Sequence, residues 1–88
     1  MKIAICDGCT VDINATRDII CKHRLAENSY IKSFTVGEKL LDCVEKERFD
    51  IVFLDVDIPE INGLELGRRI KEISPDTFLI FVKAARFL

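Results

Sequence analysis

Short apolar runs alternate with amphipathic stretches along the whole chain. Runs of five or six apolar residues are typical of strands, and apolar residues spaced three or four apart are typical of helices. The predicted strands cover residues 2–6, 30–34, 49–54 and 77–82, and the predicted helices cover residues 10–26, 37–46 and 64–73. Because strands joined by helical crossovers run in the same direction, this alternation predicts an α/β domain with a parallel sheet.

The spacing within each predicted helix also indicates the buried face. We expect Thr10 to cap the first helix, with Asp12 in its favourable first turn. The residues expected to face the core are Ala15, Ile19, Ile20 and Ala26 in the first helix, Leu40, Leu41 and Val44 in the second, and Leu66, Ile70 and Ile73 in the third. The fourth strand is almost wholly apolar, so we do not expect it to be an uncovered edge.

Asp55 follows four consecutive apolar residues, Ile51 to Leu54. Such a run predicts a strand buried on both faces, with the acid at its carboxyl end. In open α/β sheets, ligands collect just outside the carboxyl ends of the strands. Asp55 is therefore a candidate nucleophile or metal ligand. After it come Asp57 and Pro59, and then Asn62-Gly63, which are residues that favour a turn and tolerate positive φ.

Composition and charge narrow the range of functions. The chain has 88 residues, is 49% hydrophobic and carries a net charge of −2. These values are typical of one small globular domain and give no reason to expect direct nucleic-acid binding. No apolar run approaches the roughly 20 residues that span a membrane. The apolar stretch at the amino terminus is also too short for a signal peptide. We therefore expect a cytoplasmic location with reduced cysteines.

Two alternatives come from the cysteines. Cys6 and Cys9 form a Cys-x-x-Cys pair after the first strand, as in thiol oxidoreductases, but no aromatic residue or proline neighbours the pair. A zinc site would combine them with Cys21 and His23, which requires helical residues to fold back onto the loop. We favour neither function.

Three segments together resemble the receiver domain of response regulators. They are residues 3–7, residues 49–59 with the Asp55 motif, and residues 62–66, Asn-Gly-Leu-Glu-Leu. The likeness covers the whole chain and is closest to receivers that precede LytTR-type DNA-binding domains. It implies a doubly wound, flavodoxin-like sheet of five strands in the order 2-1-3-4-5. Residues 1–88 would then form a receiver-like domain that lacks the fourth helix, the fifth strand, the fifth helix and any output domain.

The resemblance also implies the chemistry of a two-component phosphorelay. A sensor histidine kinase would transfer a phosphoryl group to Asp55. Mg²⁺ would be bound by the carboxylates of Asp7 and Asp55 and by the backbone carbonyl of Asp57. A receiver is not an enzyme, apart from magnesium-dependent phosphorylation of its own aspartate by a phosphodonor. Oxygen ligands and charge neutralisation are what phosphoryl transfer to a carboxylate requires.

Three departures from the receiver pattern predict an impaired site. Gly8 replaces the second acid of the family's acidic pair, Lys83 stands where the family has Thr or Ser, and the lysine that ends the fifth strand is absent. We expect Mg²⁺ binding to be weak or lost. One hypothesis is that a Lys83–Asp55 ion pair substitutes for Mg²⁺; the other is that Lys83 simply extends into solvent.

A second functional class stays open. The chain could be an interaction protein that performs no phosphoryl chemistry and forms a homodimer through the edge of the fourth strand. In that case Asp55 would be retained as a turn residue only.

Overall fold

The computed structural model describes residues 1–23, 27–58 and 60–83, which form a four-stranded sheet and three helices. In chain order the elements are β1 (Lys2–Cys6), α1 (Thr10–Cys21), β2 (Tyr30–Phe34), α2 (Gly37–Lys46), β3 (Ile51–Asp55), α3 (Gly63–Ile73) and β4 (Phe78–Val82). The order of strands and helices along the chain is the one that the apolar pattern predicts. The bounds of α2 agree fully, whereas those of β3, α3 and β4 differ by one or two residues.

The four strands are parallel and lie in the order β2-β1-β3-β4. β1 pairs with β2 from Lys2↔Tyr30 onward and with β3 from Ile3↔Ile51 onward. The chain therefore leaves β1 in one direction to form β2 and returns past it to form β3. This reversal makes the β1–β3 boundary the switch point of the sheet, where a crevice opens at the carboxyl ends of the strands. The predicted doubly wound parallel sheet is confirmed for these strands.

The larger core cluster lies between one sheet face and the helices α2 and α3. Alternate strand residues point to opposite faces, so Val52 and Leu54 enter this cluster while Ile51 and Phe53 pack on the other face. Leu40, Leu66 and Ile70 complete its centre, and each is fully buried. The predicted inward residues of α2 and two of the three in α3 are thus confirmed. The third, Ile73, is 41% exposed because it lies in the last turn of α3.

The smaller core cluster, under α1, corrects the predicted face of that helix. Ile13 and Ile20 are buried against Ile3 and Ile5, whereas Ala15 is exposed and Ile19 is 71% exposed. Ile13 and Ile20 are seven residues apart, which is close to two helical turns and places them on one face. Of the predicted inward residues only Ile20 is confirmed, and Ala26 lies outside the described residues.

The caps of the helices also differ from expectation. The residue that caps α1 is Cys9, which makes no side-chain capping hydrogen bond, and Thr10 is the first helical residue. α1 ends at Cys21, earlier than the predicted residue 26. Before α3, Asn62 has a φ of −62° and acts as the cap, since its Oδ1 accepts a hydrogen bond from the Leu64 amide at 2.7 Å. In the described loop between β3 and α3 the positive φ falls at Glu60 (77°), whereas Asn62 and Gly63, which would tolerate it, do not adopt it.

The β3–β4 side of the sheet is joined by a buried threonine. Thr77 is 1% exposed, and its Oγ1 donates a hydrogen bond of 2.7 Å to the carbonyl oxygen of Phe49. β4 itself is less covered than its apolar sequence suggests, since Phe78 is 63% and Phe81 43% exposed.

Candidate functional site

Two buried carboxylates lie side by side at the switch point of the sheet. Asp7 directly follows β1 and is 4% exposed, and Asp55 ends β3 and is 2% exposed. Because Cys6 pairs with Leu54 in the sheet register, Asp7 and Asp55 occupy equivalent positions on neighbouring strands. The structure therefore brings together the two acids that the sequence singled out, at the edge where ligands of such sheets collect.

Backbone amides hold both carboxylates in place. The Cys9 amide donates to Asp7 Oδ1 at 2.9 Å, and the Asp57 amide donates to Asp55 Oδ1 at 3.0 Å. Each bond runs from an amide two residues further along, the pattern by which an aspartate tightens the turn after a strand. Both carboxylates are therefore held in one orientation and differ from mobile surface side chains.

The loop after Asp55 is anchored at several points. The Val56 amide donates to the Val82 carbonyl at 3.2 Å, and the Val56 carbonyl accepts from the Gly63 amide at 3.1 Å. Ile58 is 6% exposed and belongs to the larger core cluster. These contacts tie the carboxyl end of β3 to β4 and to the start of α3. The side chain of Asp57 is exposed, so its predicted role as a ligand concerns only its backbone carbonyl.

The close approach of Gly63 to β3 is a feature that the sequence reasoning missed. A Cβ atom at Gly63 would overlap the carbonyl oxygen of Asp55 and lie 2.6 Å from the Cα of Val56. Glycine is required here because no side chain fits between the amino end of α3 and the backbone that follows β3. The Asn62-Gly63 pair in the sequence is compatible with such close packing, but it indicates an ordinary turn equally well.

Few groups at this site could bind a cation. Gly8 is exposed and supplies no carboxylate, and within residues 1–23, 27–58 and 60–83 no cluster of three or more His, Cys, Asp or Glu side chains is arranged to hold a metal. Two carboxylates and a backbone carbonyl nevertheless suit Mg²⁺, which binds oxygen and is commonly held by one or two carboxylates together with water and phosphate oxygens. The residues present are therefore of the kind that binds Mg²⁺.

Burial, together with the negative charge of this site, raises the pKa of a neighbouring thiol. Cys6 is 1% exposed, and its pKa is raised to about 12, first by burial and then by the charges of Asp7 and Asp55. A thiol in this state is a poor nucleophile. Cys9 and Cys21 lie at opposite ends of α1, about 18 Å apart for its twelve residues. The structure thus does not bring together the cysteines of the zinc alternative.

Lys83 lies at the same edge of the sheet. It directly follows Val82, which pairs with Asp55, and its side chain is exposed. This position is compatible with an ion pair to Asp55 and also with a side chain that extends into solvent. The predicted Lys83–Asp55 ion pair therefore stays a prediction.

Across the helices that the structure describes, none combines the length and the apolar character that crossing a membrane requires.

Comparison with known proteins gives one consistent result. The family model for the response regulator receiver domain matches residues 3–86. The chain is 30% identical over 71 residues to the response regulator receiver protein CpdR of Brucella abortus, covering 81% of this chain and 59% of CpdR. The chain thus spans somewhat more than half the length of this relative.

Solved structures agree with the fold. A BeF3-activated DrrB receiver domain superposes with a TM-score of 0.76 at 32% identity, covering 93% of this chain and 64% of that one. A CheY-like receiver domain protein from Methanospirillum hungatei superposes with a TM-score of 0.81 at 23% identity, covering 99% of this chain and 66% of that one. The second likeness supports the fold alone.

Proposed function

The chain belongs to the response regulator receiver family, and from this premise we propose that Asp55 accepts a phosphoryl group from a sensor histidine kinase. Receiver domains are signalling modules of two-component systems and are generally not enzymes. The observation that carries the proposal is the pair of oriented, buried carboxylates, Asp7 and Asp55, at the switch point of the sheet. Any chemistry by the chain itself is then limited to magnesium-dependent phosphorylation of Asp55 by a phosphodonor.

In this proposal the residues of the site have distinct tasks. Asp55 is the nucleophile, and the Asp57 amide that bonds to its Oδ1 holds the carboxylate in one orientation. Mg²⁺, held by Asp7, Asp55 and the Asp57 carbonyl, would neutralise the charge that an anionic phosphodonor brings to an anionic carboxylate. The Cys9 amide keeps Asp7 turned toward the same edge.

The proposed site is impaired in comparison with the family pattern. Gly8 offers no second acid beside Asp7, and one fewer anionic ligand lowers the affinity for a divalent cation. In the same proposal Lys83 lies near Asp55 and competes with Mg²⁺ for its charge. Phosphorylation then requires a higher Mg²⁺ concentration than in a receiver with the full acidic pair.

Intact-mass measurement tests the phosphoacceptor. We expect the wild-type chain, incubated with acetyl phosphate or phosphoramidate and saturating Mg²⁺, to gain the mass of one phosphoryl group. Asp55→Asn should lose this gain, whereas Asp57→Asn should keep it because only the backbone of residue 57 is assigned a role. A wild type that gains no mass at saturating Mg²⁺, or an Asp55→Asn variant that gains it equally, would overturn the proposal.

A magnesium titration tests the role of Lys83. Lys83→Thr should bind Mg²⁺ more tightly than wild type, and Lys83→Arg, which keeps the charge, should not. If Lys83→Thr and the wild type bind Mg²⁺ equally, Lys83 only extends into solvent.

The alternative of an interaction protein without phosphoryl chemistry is not favoured by the comparisons. The finer expectations stay predictions: the likeness to receivers that precede LytTR-type domains, the homodimer and the cytoplasmic location.

A further inference from the structure

Strand β2 and helix α2 bring a lysine and a cysteine into contact, on the far side of β1 from Asp55. Lys32 pairs with Ala4, whose side chain belongs to the larger core cluster, so Lys32 faces α2. Its Nζ donates a hydrogen bond to the Sγ of Cys43 at 3.6 Å and lies 5.8 Å from the centre of the Phe34 ring. Two contacts therefore hold the ammonium group beside the sulfur.

The position of Cys43 is also constrained by its surroundings. It begins the last turn of α2, is half-buried and packs against the larger core cluster. The helix limits the directions that its side chain can take, and the Lys32 ammonium lies within hydrogen-bond distance of the sulfur. A small reagent can reach a half-buried sulfur, but it cannot reach a fully buried sulfur.

We propose that Cys43 is the thiol of this chain that a peroxide oxidises first, and that Lys32 is the cation that activates it. In the reaction with hydrogen peroxide, the Cys43 thiolate attacks one peroxide oxygen. An S–O bond forms, the O–O bond breaks, and the departing hydroxide takes a proton to become water. Sulfur is oxidised by two electrons, peroxide is reduced by two, and the product is Cys43 sulfenic acid.

Lys32 has the properties of an activating cation. The thiolate is the reactive form of cysteine, and an adjacent lysine favours it. The pKa of Lys32 is raised above its ordinary value of 10.5, first by the Cys43 sulfur and then by Tyr30, with a smaller contribution from Glu47. Lys32 therefore keeps its positive charge throughout the neutral pH range.

The other three cysteines lack this arrangement. Cys6 is closed off by burial, with a pKa of about 12. Cys9 lies in the loop whose amide donates to Asp7, and no lysine or arginine among the described residues donates a hydrogen bond to its sulfur. Cys21 is exposed at the carboxyl end of α1, and no lysine or arginine in the part of the chain that the structure describes donates a hydrogen bond to its sulfur.

Trapping of the sulfenic acid tests the proposal. The reduced full chain is treated with a limiting amount of hydrogen peroxide in the presence of dimedone, and the labelled cysteine is identified by peptide mass spectrometry. We expect most of the early label on Cys43. Lys32→Gln should slow its labelling about two- to fivefold, the effect of one unit charge about 4 Å away in a water-like dielectric, partly offset by the greater nucleophilicity of a more basic thiolate.

The controls separate activation from a change of fold. Lys32→Arg should keep the wild-type rate because it keeps the charge, and Arg68→Gln, which removes an exposed charge on α3, should leave Cys43 unaffected. Labelling of the exposed Cys21 in the same molecules should be equal in all variants. Wild-type label found mainly on Cys9 or Cys21, or a Cys43 rate unchanged in Lys32→Gln, would overturn the proposal.

Discussion

Gly63 packs directly against the backbone of Asp55: a Cβ atom at Gly63 would overlap the Asp55 carbonyl oxygen. The Gly63 amide also donates to the Val56 carbonyl at 3.1 Å. The amino end of α3 and the carboxyl end of β3 are therefore in direct backbone contact. Any displacement of α3 at this point is passed to the strand end that carries the candidate nucleophile.

Gly63→Ala is expected to destabilise the chain by about 1–3 kcal/mol, because the neighbouring atoms are backbone and cannot rotate away. Urea denaturation measures the change in the free energy of unfolding. Gly8→Ala is the matched control: Gly8 is exposed, and none of the glycines in the described segments has a positive φ. If both variants lose the same stability, the close packing at Gly63 is not the cause.

Gly8→Asp is expected to increase the affinity for Mg²⁺ about tenfold or more, because it adds an anionic oxygen ligand beside Asp7. Isothermal titration calorimetry measures the dissociation constant. Gly8→Asn provides nearly the same shape without the charge and should bind Mg²⁺ almost as weakly as the wild type. Equal affinities for Gly8→Asp and Gly8→Asn would contradict a metal site at this edge.

Thr77→Val is expected to cost about 1–3 kcal/mol of stability, since it keeps the side-chain shape but removes the hydrogen bonds with the buried Phe49 carbonyl and the Ser74 hydroxyl. Equilibrium unfolding monitored by circular dichroism gives the value. Thr35→Val, at an exposed bend, should change stability by no more than about 0.5 kcal/mol. A loss at Thr77 as small as the loss at Thr35 would show that water replaces the missing hydrogen bonds.

The raised pKa of Cys6 predicts a loss of stability in alkali. The folded chain keeps the Cys6 proton up to a pKa of about 12, whereas the unfolded chain releases it near the ordinary value of 9.0. The native state therefore binds more protons between these values, so the stabilisation is complete below about pH 9 and falls as the pH rises toward 12. From about pH 8 to about pH 10.5, the wild type should lose about 2 kcal/mol more than Cys6→Ala.

Denaturation of the two chains at both pH values measures this difference. Cys21→Ala, a substitution of an exposed cysteine, should follow the wild type. If Cys6→Ala loses as much stability in alkali as the wild type, ionisation of Cys6 does not contribute.

Much of the candidate site could be predicted from local sequence. A strand-forming apolar run that ends in Asp55, and a second one that ends before Asp7, place both acids at strand ends. In a parallel sheet such ends meet at one edge, and the strand order then makes Asp7 and Asp55 neighbours. Gly8 and Lys83 were identified as departures from a pattern, and the structure locates both at this edge without testing their effects on Mg²⁺.

The face of α1 could not be predicted in the same way. Val11, Ala15 and Ile19 follow one another at intervals of four, and this spacing is as helical as the pair Ile13 and Ile20. Only the packing against Ile3 and Ile5 decides between the two stripes, and it buries Ile13 and Ile20. Amphipathic spacing identifies a helix but does not select its buried face when two apolar stripes compete.

The sequence by itself determined the order of strands and helices, the parallel sheet, and the position of Asp55 at the end of β3, because these depend on periodicity and on the residues that start and stop each element. Only the tertiary structure decided which atoms meet: Gly63 against the Asp55 backbone, Thr77 with the Phe49 carbonyl, and Lys32 with Cys43. Each of these contacts joins residues from different elements. Their separation along the chain carries no periodic signal, so the register and packing of the folded sheet are what bring them together.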